Sequence, residues 1–399
     1  MIILTVMGTR PEVIKMAPVL AELSKEQASG LKSVLCVTAQ HRELLDDALR
    51  VFNIRPDIDL NLMRPNQTPQ TFAAAASIEL TQVLVKVKPD LVLVQGDTVT
   101  AIVGALVASC AGIPVGHIEA GLRTERYDSP FPEELNRRLL GRIASYHFAP
   151  TPAAVTALLK EGVSPANVFM TGNTVVDALN WLTVKSQSTP STNFPRSLDH
   201  TRWRIVLVTA HRRESFGRPI RELCRALLML IQRNREVQIV FLLHRNPNIS
   251  MPVSNLLEHQ PRIHVVEPLD YISFIDLMRR SYVVLTDSGG VQEEAAALGK
   301  PTLILRSETE RPESVDLGTA KLVGMEAERI VTETQYLLAN SSAYKLMSRR
   351  LRCYGDGYAA QRITSIICRA VLHIPSTTAQ FQECRATEPF ESNFATEIN

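Results

Sequence analysis

The chain has no long apolar run. No stretch approaches the roughly 18 residues that a membrane-spanning helix needs, so no membrane partner is expected. Net charge is low, +2 over 399 residues, and no Lys/Arg cluster is interleaved with aromatics, which argues against nucleic acid. A basic n-region and a small-residue cleavage site are missing from the N-terminus. Mature sequence is therefore expected from residue 1, in a cytoplasmic protein. The six cysteines lie far apart, with neither CxxC nor histidine spacing. Cys36 falls in a strand pattern and Cys110 and Cys224 in helical ones, so reduced thiols are expected and a metal site is not. No internal repeat is present.

What is there is an alternation. A hydrophobic content of 45% at this length allows two sizeable cores. Short apolar runs at Ile2–Val6, Val34–Thr38, Leu91–Gln95, Ile113–Ile118, Tyr146–Ala149 and Val168–Met170 are each followed by a helical pattern, such as Val99–Cys110 or Ala153–Leu159. The second half repeats this rhythm at Ile205–Thr209, Gln238–Leu243, His264–Glu267, Val283–Thr286 and Thr302–Leu305. Strands separated by helices imply βαβ units and parallel sheets. Between the halves, the Ser/Thr/Pro-rich stretch Ser186–Asn193 reads as a linker. The expected class is α/β, with two Rossmann-like doubly wound domains facing across a cleft. Their boundaries are expected at 1–185 and 200–355, with a helix over 356–375 rejoining the first domain and a disordered tail over 376–399.

The chemistry gathers where the apolar runs end. Met7-Gly8-Thr9-Arg10-Pro11-Glu12 follows the first run and opens an amphipathic stretch, with Pro11 in the first helical turn. That turn places Arg10, the helix N-terminus and Lys15 where an anion would sit. Gly8 is the only glycine there, so this is not the GxGxxG dinucleotide fingerprint. Asp97 ends the third run and is either a helix N-cap or a functional carboxylate. Glu119 ends the next and is a poorer cap. Glu133 opens a helix behind a proline-stiffened loop, where it either complements the helix dipole or joins the other two carboxylates. Three such carboxylates suggest general acid–base chemistry.

In the second half, His211-Arg212-Arg213 and His244-Arg245-Asn246 supply cationic or hydrogen-bonding groups. Ser288-Gly289-Gly290 opens a helix whose bare amides suit a phosphate, Glu294 follows within reach of a ribose diol, and Arg311 is a further anion candidate. Asp287-Ser288-Gly289-Gly290 also matches part of the serine-protease GDSGG, but an α/β chain lacks that all-β, disulfide-rich setting. The residues alone describe a two-domain enzyme with a nucleotide-binding cleft.

Taken in order, these motifs resemble the bacterial non-hydrolysing UDP-N-acetylglucosamine 2-epimerases, which have the GT-B fold. The likeness runs from residue 1 to about 375 through Gly8–Glu12, Thr38–Glu43, Gly96–Thr98, Gly116–Arg123, Pro132–Glu134, Gly172–Thr174, His211–Ser215, Thr286–Gly290 and Thr309–Glu313. It implies that Asp97, Glu119 and Glu133 are the acid–base carboxylates, with Arg10, Lys15 and His211 near diphosphate and sugar. It also implies that Ser288, Gly289, Gly290, Glu294 and Arg311 hold UDP, with Phe274 by the uracil. A homodimer, and no cofactor or metal, are implied as well.

Four positions depart from the family pattern. Ala210 stands where many members have glycine, and Leu269 where some offer glutamine to the base. Some members bind a second, activating UDP-GlcNAc. Gln40 and His41 match that site, but Glu43 and Asn66 replace a glutamine and an arginine. The expected activity is interconversion of UDP-GlcNAc and UDP-ManNAc by elimination of UDP to 2-acetamidoglucal and re-addition, for surface polysaccharide synthesis. The competing readings are a hydrolysing 2-epimerase that releases ManNAc and UDP, a GT-B glycosyltransferase, and an inactive sugar-nucleotide sensor. Intact Asp97, Glu119 and Glu133 argue against the last.

Overall fold

In a computed structural model of the chain, residues 1–186 and 203–373 are described, apart from residues 41, 66, 125, 128 and 129. His41, Asn66, most of the expected linker and the tail over 376–399 lie outside the described residues. The chain divides into two compact units, Met1–Trp181 with the chain from Tyr354 onward, and Leu182–Cys353.

The first unit is built on strands β1 (Ile2–Met7), β2 (Lys32–Val37), β3 (Ile58–Asp59), β4 (Leu91–Gln95), β5 (Val115–Ile118), β6 (Tyr146–Ala149) and β7 (Val168–Met170). They form one parallel sheet in the order β3-β2-β1-β4-β5-β6-β7. Leu91, Val92, Leu93 and Val94 are all fully buried, as a strand covered by helices on both faces requires. The covering helices include α1 (Arg10–Lys25), α2 (Arg42–Val51), α3 (Pro69–Val87), α4 (Val99–Cys110), α5 (Glu133–Ile143), α6 (Pro152–Lys160) and α7 (Thr174–Ser186). The division between units falls inside α7, and the return segment leads into the helix Ala359–Ile366.

The second unit repeats the plan with β8 (Arg204–Thr209), β9 (Val237–Leu242), β10 (Ile263–Val266), β11 (Val283–Thr286), β12 (Thr302–Ile304) and β13 (Ala320–Leu322). Their order is β10-β9-β8-β11-β12-β13, again parallel. Helices α8 (Arg218–Arg233), α9 (Pro247–Leu257), α10 (Tyr271–Arg280) and α11 (Gly289–Ala297) cross over between the strands. The two strands that the apolar pattern does not announce, β3 and β13, are only two and three residues long.

In each sheet the strand order reverses between the first strand and its inner neighbour, at β1/β4 and at β8/β11. Doubly wound sheets bind ligands outside the carboxyl ends of the strands at such switch points. The polar groups singled out from the sequence follow β1, β4, β5, β8 and β11. Among the described residues no helix is long and apolar enough to cross a membrane.

Candidate active site

The turn after β1 is shaped by crowding. A Cβ on Gly8 would collide with the hydroxyls of Thr38 and Thr100, which are hydrogen-bonded to each other at 2.8 Å. Only glycine lets the ends of β1 and β2 meet the start of α4 this closely. Glu12 then organises the helix start. Its Oε2 accepts the amides of Gly8 (2.9 Å) and Thr9 (2.8 Å) and the Thr9 hydroxyl (2.8 Å), and its Oε1 accepts the Thr98 hydroxyl (2.7 Å). Burial pushes the Glu12 carboxyl up to about 7 against the pull of those donors. Arg10 is the first residue of α1 and half-buried, while Lys15, one turn on, is buried.

Glu119, just past β5, is the most constrained of the carboxylates. Its backbone is left-handed, with φ of 65°, a conformation that costs a non-glycine residue free energy and gathers at functional sites. Its carboxylate pairs with buried Lys15 and accepts the side-chain amide of Gln95 and that of Asn173, the last at 3.0 Å. A Cβ on Gly96 would stand 3.5 Å from Glu119 Oε2, so the carboxylate lies against the turn that carries Asp97. Behind that turn, His117 Nε2 meets the Gly96 carbonyl at 2.7 Å. Burial lowers the His117 ring to about 3, so it is neutral and donates its Nε2 proton.

Asp97 is not a helix cap. Thr98 takes that role in α4, its hydroxyl accepting the Ala101 amide at 3.0 Å. Asp97 Oδ2 instead accepts Arg137 Nη1 at 3.0 Å, and its carbonyl accepts Asn136 Nδ2 at 2.8 Å. Arg137 is almost fully buried and reaches Glu134 with Nε at 3.0 Å. Of the adjacent pair, Glu134 is the structural residue. It is buried and also holds Arg138 Nε (2.8 Å) and the Thr124 amide (3.1 Å). Glu133 is the half-buried first residue of α5. Asp97 and Glu119 thus follow neighbouring strands, and the helix that begins with Glu133 is tied to Asp97 through Asn136 and Arg137. Gln40 lies one position beyond the left-handed Ala39, where its Oε1 accepts the Thr100 hydroxyl at 3.1 Å. Glu43 is exposed in the first turn of α2.

In the second unit Asp287, at the end of β11, is the organiser that the sequence reading passed over. Its wholly buried carboxylate accepts the amides of His211 and Arg212 (2.9 Å each) and the Ser215 hydroxyl (2.8 Å), all on Oδ2, and its Oδ1 lies 3.1 Å from His211 Nδ1. Burial opposes its charge, but the His211 ring and these donors hold the carboxyl well below the usual carboxylate range. The His211 ring stands 5.8 Å from that of His244.

Ser288 caps α11, and its amide already donates to the Thr286 hydroxyl at 3.0 Å, so it is not one of the bare amides expected there. Gly289 is covered by Arg311, whereas a Cβ on Gly290 would meet open space. Arg311 is buried between two carboxylates, with Nε 2.6 Å from Glu293 and Nη1 2.7 Å from Glu310. Glu310 also holds Arg306 at 2.7 Å. Arg311 is thus a clamped guanidinium, which a lone basic residue in the sequence does not reveal. Glu294 is buried and accepts the Tyr271 hydroxyl at 2.8 Å, and Phe274 is buried one turn beyond Tyr271 on α10. Glu293, Arg306 and Tyr271 carry no distinguishing sequence signal, and Glu310 is marked only as a member of the Thr309–Glu313 motif, because their roles arise only from their partners.

The chain is similar to known proteins in both sequence and fold. The UDP-N-acetylglucosamine 2-epimerase family profile matches residues 23–368. The UDP-N-acetylglucosamine 2-epimerase of Yersinia pestis is 47% identical over 365 residues, 90% of this chain and 96% of that protein. The crystal structure of UDP-GlcNAc 2-epimerase from Neisseria meningitidis bound to UDP-GlcNAc superimposes with a TM-score of 0.89 at 44% identity, covering 92% of this chain and 99% of that one. The S. aureus MnaA–UDP co-structure gives 0.88 at 40% identity, covering 96% and 100%.

Proposed function

The chain belongs to the UDP-N-acetylglucosamine 2-epimerase family, with two Rossmann-like units of the GT-B type, and from that premise we propose that it interconverts UDP-GlcNAc and UDP-ManNAc without hydrolysis. The observation that carries this reading is Glu119. It is a buried carboxylate in a strained backbone, fixed by three donors beside the Asp97 turn, as a positioned proton-transfer group would be. Capping cannot account for Glu119 or Asp97.

The C2 hydrogen of the sugar is not α to a carbonyl, so direct deprotonation is unfavourable. When the C1–O bond to UDP breaks, its electron pair leaves with the β-phosphate and C1 gains oxocarbenium character. The C2 proton becomes acidic and passes to a carboxylate, leaving C1=C2 in 2-acetamidoglucal. Returning a proton to the other face of C2 while the UDP oxygen attacks C1 gives the epimer. Carbon ends at its original oxidation state, so no nicotinamide is needed. In this reading Asp97, Glu119 and Glu133 move protons and stabilise the cationic sugar. Arg10, Lys15 and His211 assist departure of the diphosphate. Gly289, Gly290, Ser288, Glu294, Arg311 and Phe274 retain UDP.

We further propose a cytoplasmic homodimer that supplies ManNAc-type sugars for surface polysaccharide. Incubation of the purified protein with UDP-GlcNAc, followed by NMR, tests the assignment. UDP-ManNAc should accumulate to an equilibrium also reached from UDP-ManNAc. Stoichiometric free ManNAc would assign the hydrolysing reaction instead, and sugar transfer to an acceptor a glycosyltransferase.

A further inference from the structure

Asn173 lies between Glu119 and the segment on which the chain re-enters the first unit. Its backbone amide donates to the Tyr354 carbonyl at 2.6 Å, and a Cβ on neighbouring Gly172 would stand 3.3 Å from Gly355 Cα. Its Oδ1 accepts the Val175 amide at 3.1 Å, turning the chain into α7, and its Nδ2 donates to Glu119 Oε1 at 3.0 Å. Asn173 is 2% exposed and Tyr354 equally buried, so the junction is closed to bulk solvent. Every polar atom of the side chain has a defined partner, and one of them is the carboxylate of a residue held in a left-handed conformation.

We propose that Asn173 is a positioning residue for Glu119, which keeps that carboxylate aimed and ionised for proton abstraction. This rests on the reaction assigned above. Asparagine suits the task because its amide is a neutral donor that cannot take the proton itself. Donation to a carboxylate favours the charged form, and in a buried site the effect is larger than in water. Among the described residues, the groups facing Glu119 include Lys15 from α1, Gln95 from β4, Asn173 before α7, His117 from its own strand and, beyond Gly96, Asp97. His117 is neutral, so Lys15 is the cationic partner among these groups and Asn173 and Gln95 are the neutral donors.

The test compares Asn173→Ser with Asn173→Asp in the full-length protein. Serine keeps an oxygen for the Val175 amide but loses the donor to Glu119. Aspartate keeps the shape and sets a second carboxylate against the first. The expected result is a kcat lowered at least tenfold with KM within about twofold, and an acid limb of the pH–kcat profile moved to higher pH, further for aspartate than for serine. Activity should recover partly at high pH. Profiles that superimpose on the wild type, with only a lowered Tm, would overturn the proposal and leave Asn173 a helix cap. An independent reading is the 13C carboxyl resonance of Glu119, assigned by its loss in Glu119→Gln. Its titration should move to higher pH in Asn173→Ser, and an unmoved titration overturns the proposal. A moved titration in a protein that does not epimerise UDP-GlcNAc would uphold the positioning and refute the reaction.

Discussion

The guanidinium of Arg311 lies directly on Gly289, so that a Cβ added there would stand 2.6 Å from Cζ. The next residue, Gly290, has open space in the same place. Two adjacent glycines therefore do different work. One makes room for a clamped side chain of the protein itself, and the other leaves a helix N-terminus uncovered.

Substitution should separate them. Gly289→Ala must displace Arg311 from Glu293 and Glu310, and a loss of about 1–3 kcal/mol is expected from such overpacking. Gly290→Ala should fold at least as well, since alanine in a helix gains about 0.5–1 kcal/mol over glycine. Its UDP affinity should nevertheless fall at least tenfold if the diphosphate occupies that space. Calorimetric titration with UDP decides, and unchanged affinity in Gly290→Ala would move the diphosphate elsewhere.

Solvent exchange reports on the elimination. In D2O the product should carry deuterium at C2, and recovered substrate should gain it with time. An epimer formed with its original C2 hydrogen would exclude abstraction by a solvent-exchangeable carboxylate.

The carboxylates can be tested singly. Asp97→Asn, Glu119→Gln and Glu133→Gln each keep shape while removing a proton acceptor, and rate losses of roughly 10²-fold or more are expected. Glu119→Gln also removes the charge that buried Lys15 faces, whereas Arg137 keeps Glu134 when Asp97 is changed, so thermal stability should fall most in Glu119→Gln. Near-full turnover in any variant would remove that residue from the chemistry.

Stability should decline with pH through Glu12. Its carboxyl titrates near 7 in the folded protein against 4.5 as its ordinary value, because burial outweighs its hydrogen bonds. Between those values the unfolded chain has released the proton that the native state keeps. Stability therefore falls as pH rises through that window, by up to about 3 kcal/mol from this group at about 1.4 kcal/mol per unit. Glu12→Gln should flatten the fall in Tm between pH 4.5 and 7. An unchanged slope would show that the native carboxylate is already ionised.

Regulation is the last test. We propose that Glu43, standing where some family members have glutamine in a second UDP-GlcNAc site, disfavours an anionic ligand there. Turnover of pure UDP-ManNAc should start without a lag, and a strict requirement for added UDP-GlcNAc would show that the second site survives.

Much of the fold was legible in the chain because burial on both faces leaves an unambiguous mark. Runs such as Leu91–Gln95 must be parallel strands, and the stretches between them must be crossovers. The polar groups at the strand ends followed from the same topology. Where the pattern was silent, at β3 and β13, short edge strands carry exposed Asp59 and Lys321 and so lack the apolar run that marks the similarly short β7 and β12.

What the sequence determined by itself is therefore the order of the elements and which residues stand at the strand ends, since both follow from local hydrophobic period and turn chemistry. Only the tertiary structure decided the state of each group. Glu119 meets donors that are 104, 24 and 54 residues away at Lys15, Gln95 and Asn173. Thr98 displaced Asp97 as the cap, Glu134 rather than Glu133 took the buried ion pairs, and Arg311 was clamped by Glu293 and Glu310. A side chain's charge, strain and availability depend on partners brought near by folding, and a linear pattern of residue types does not encode which partner arrives.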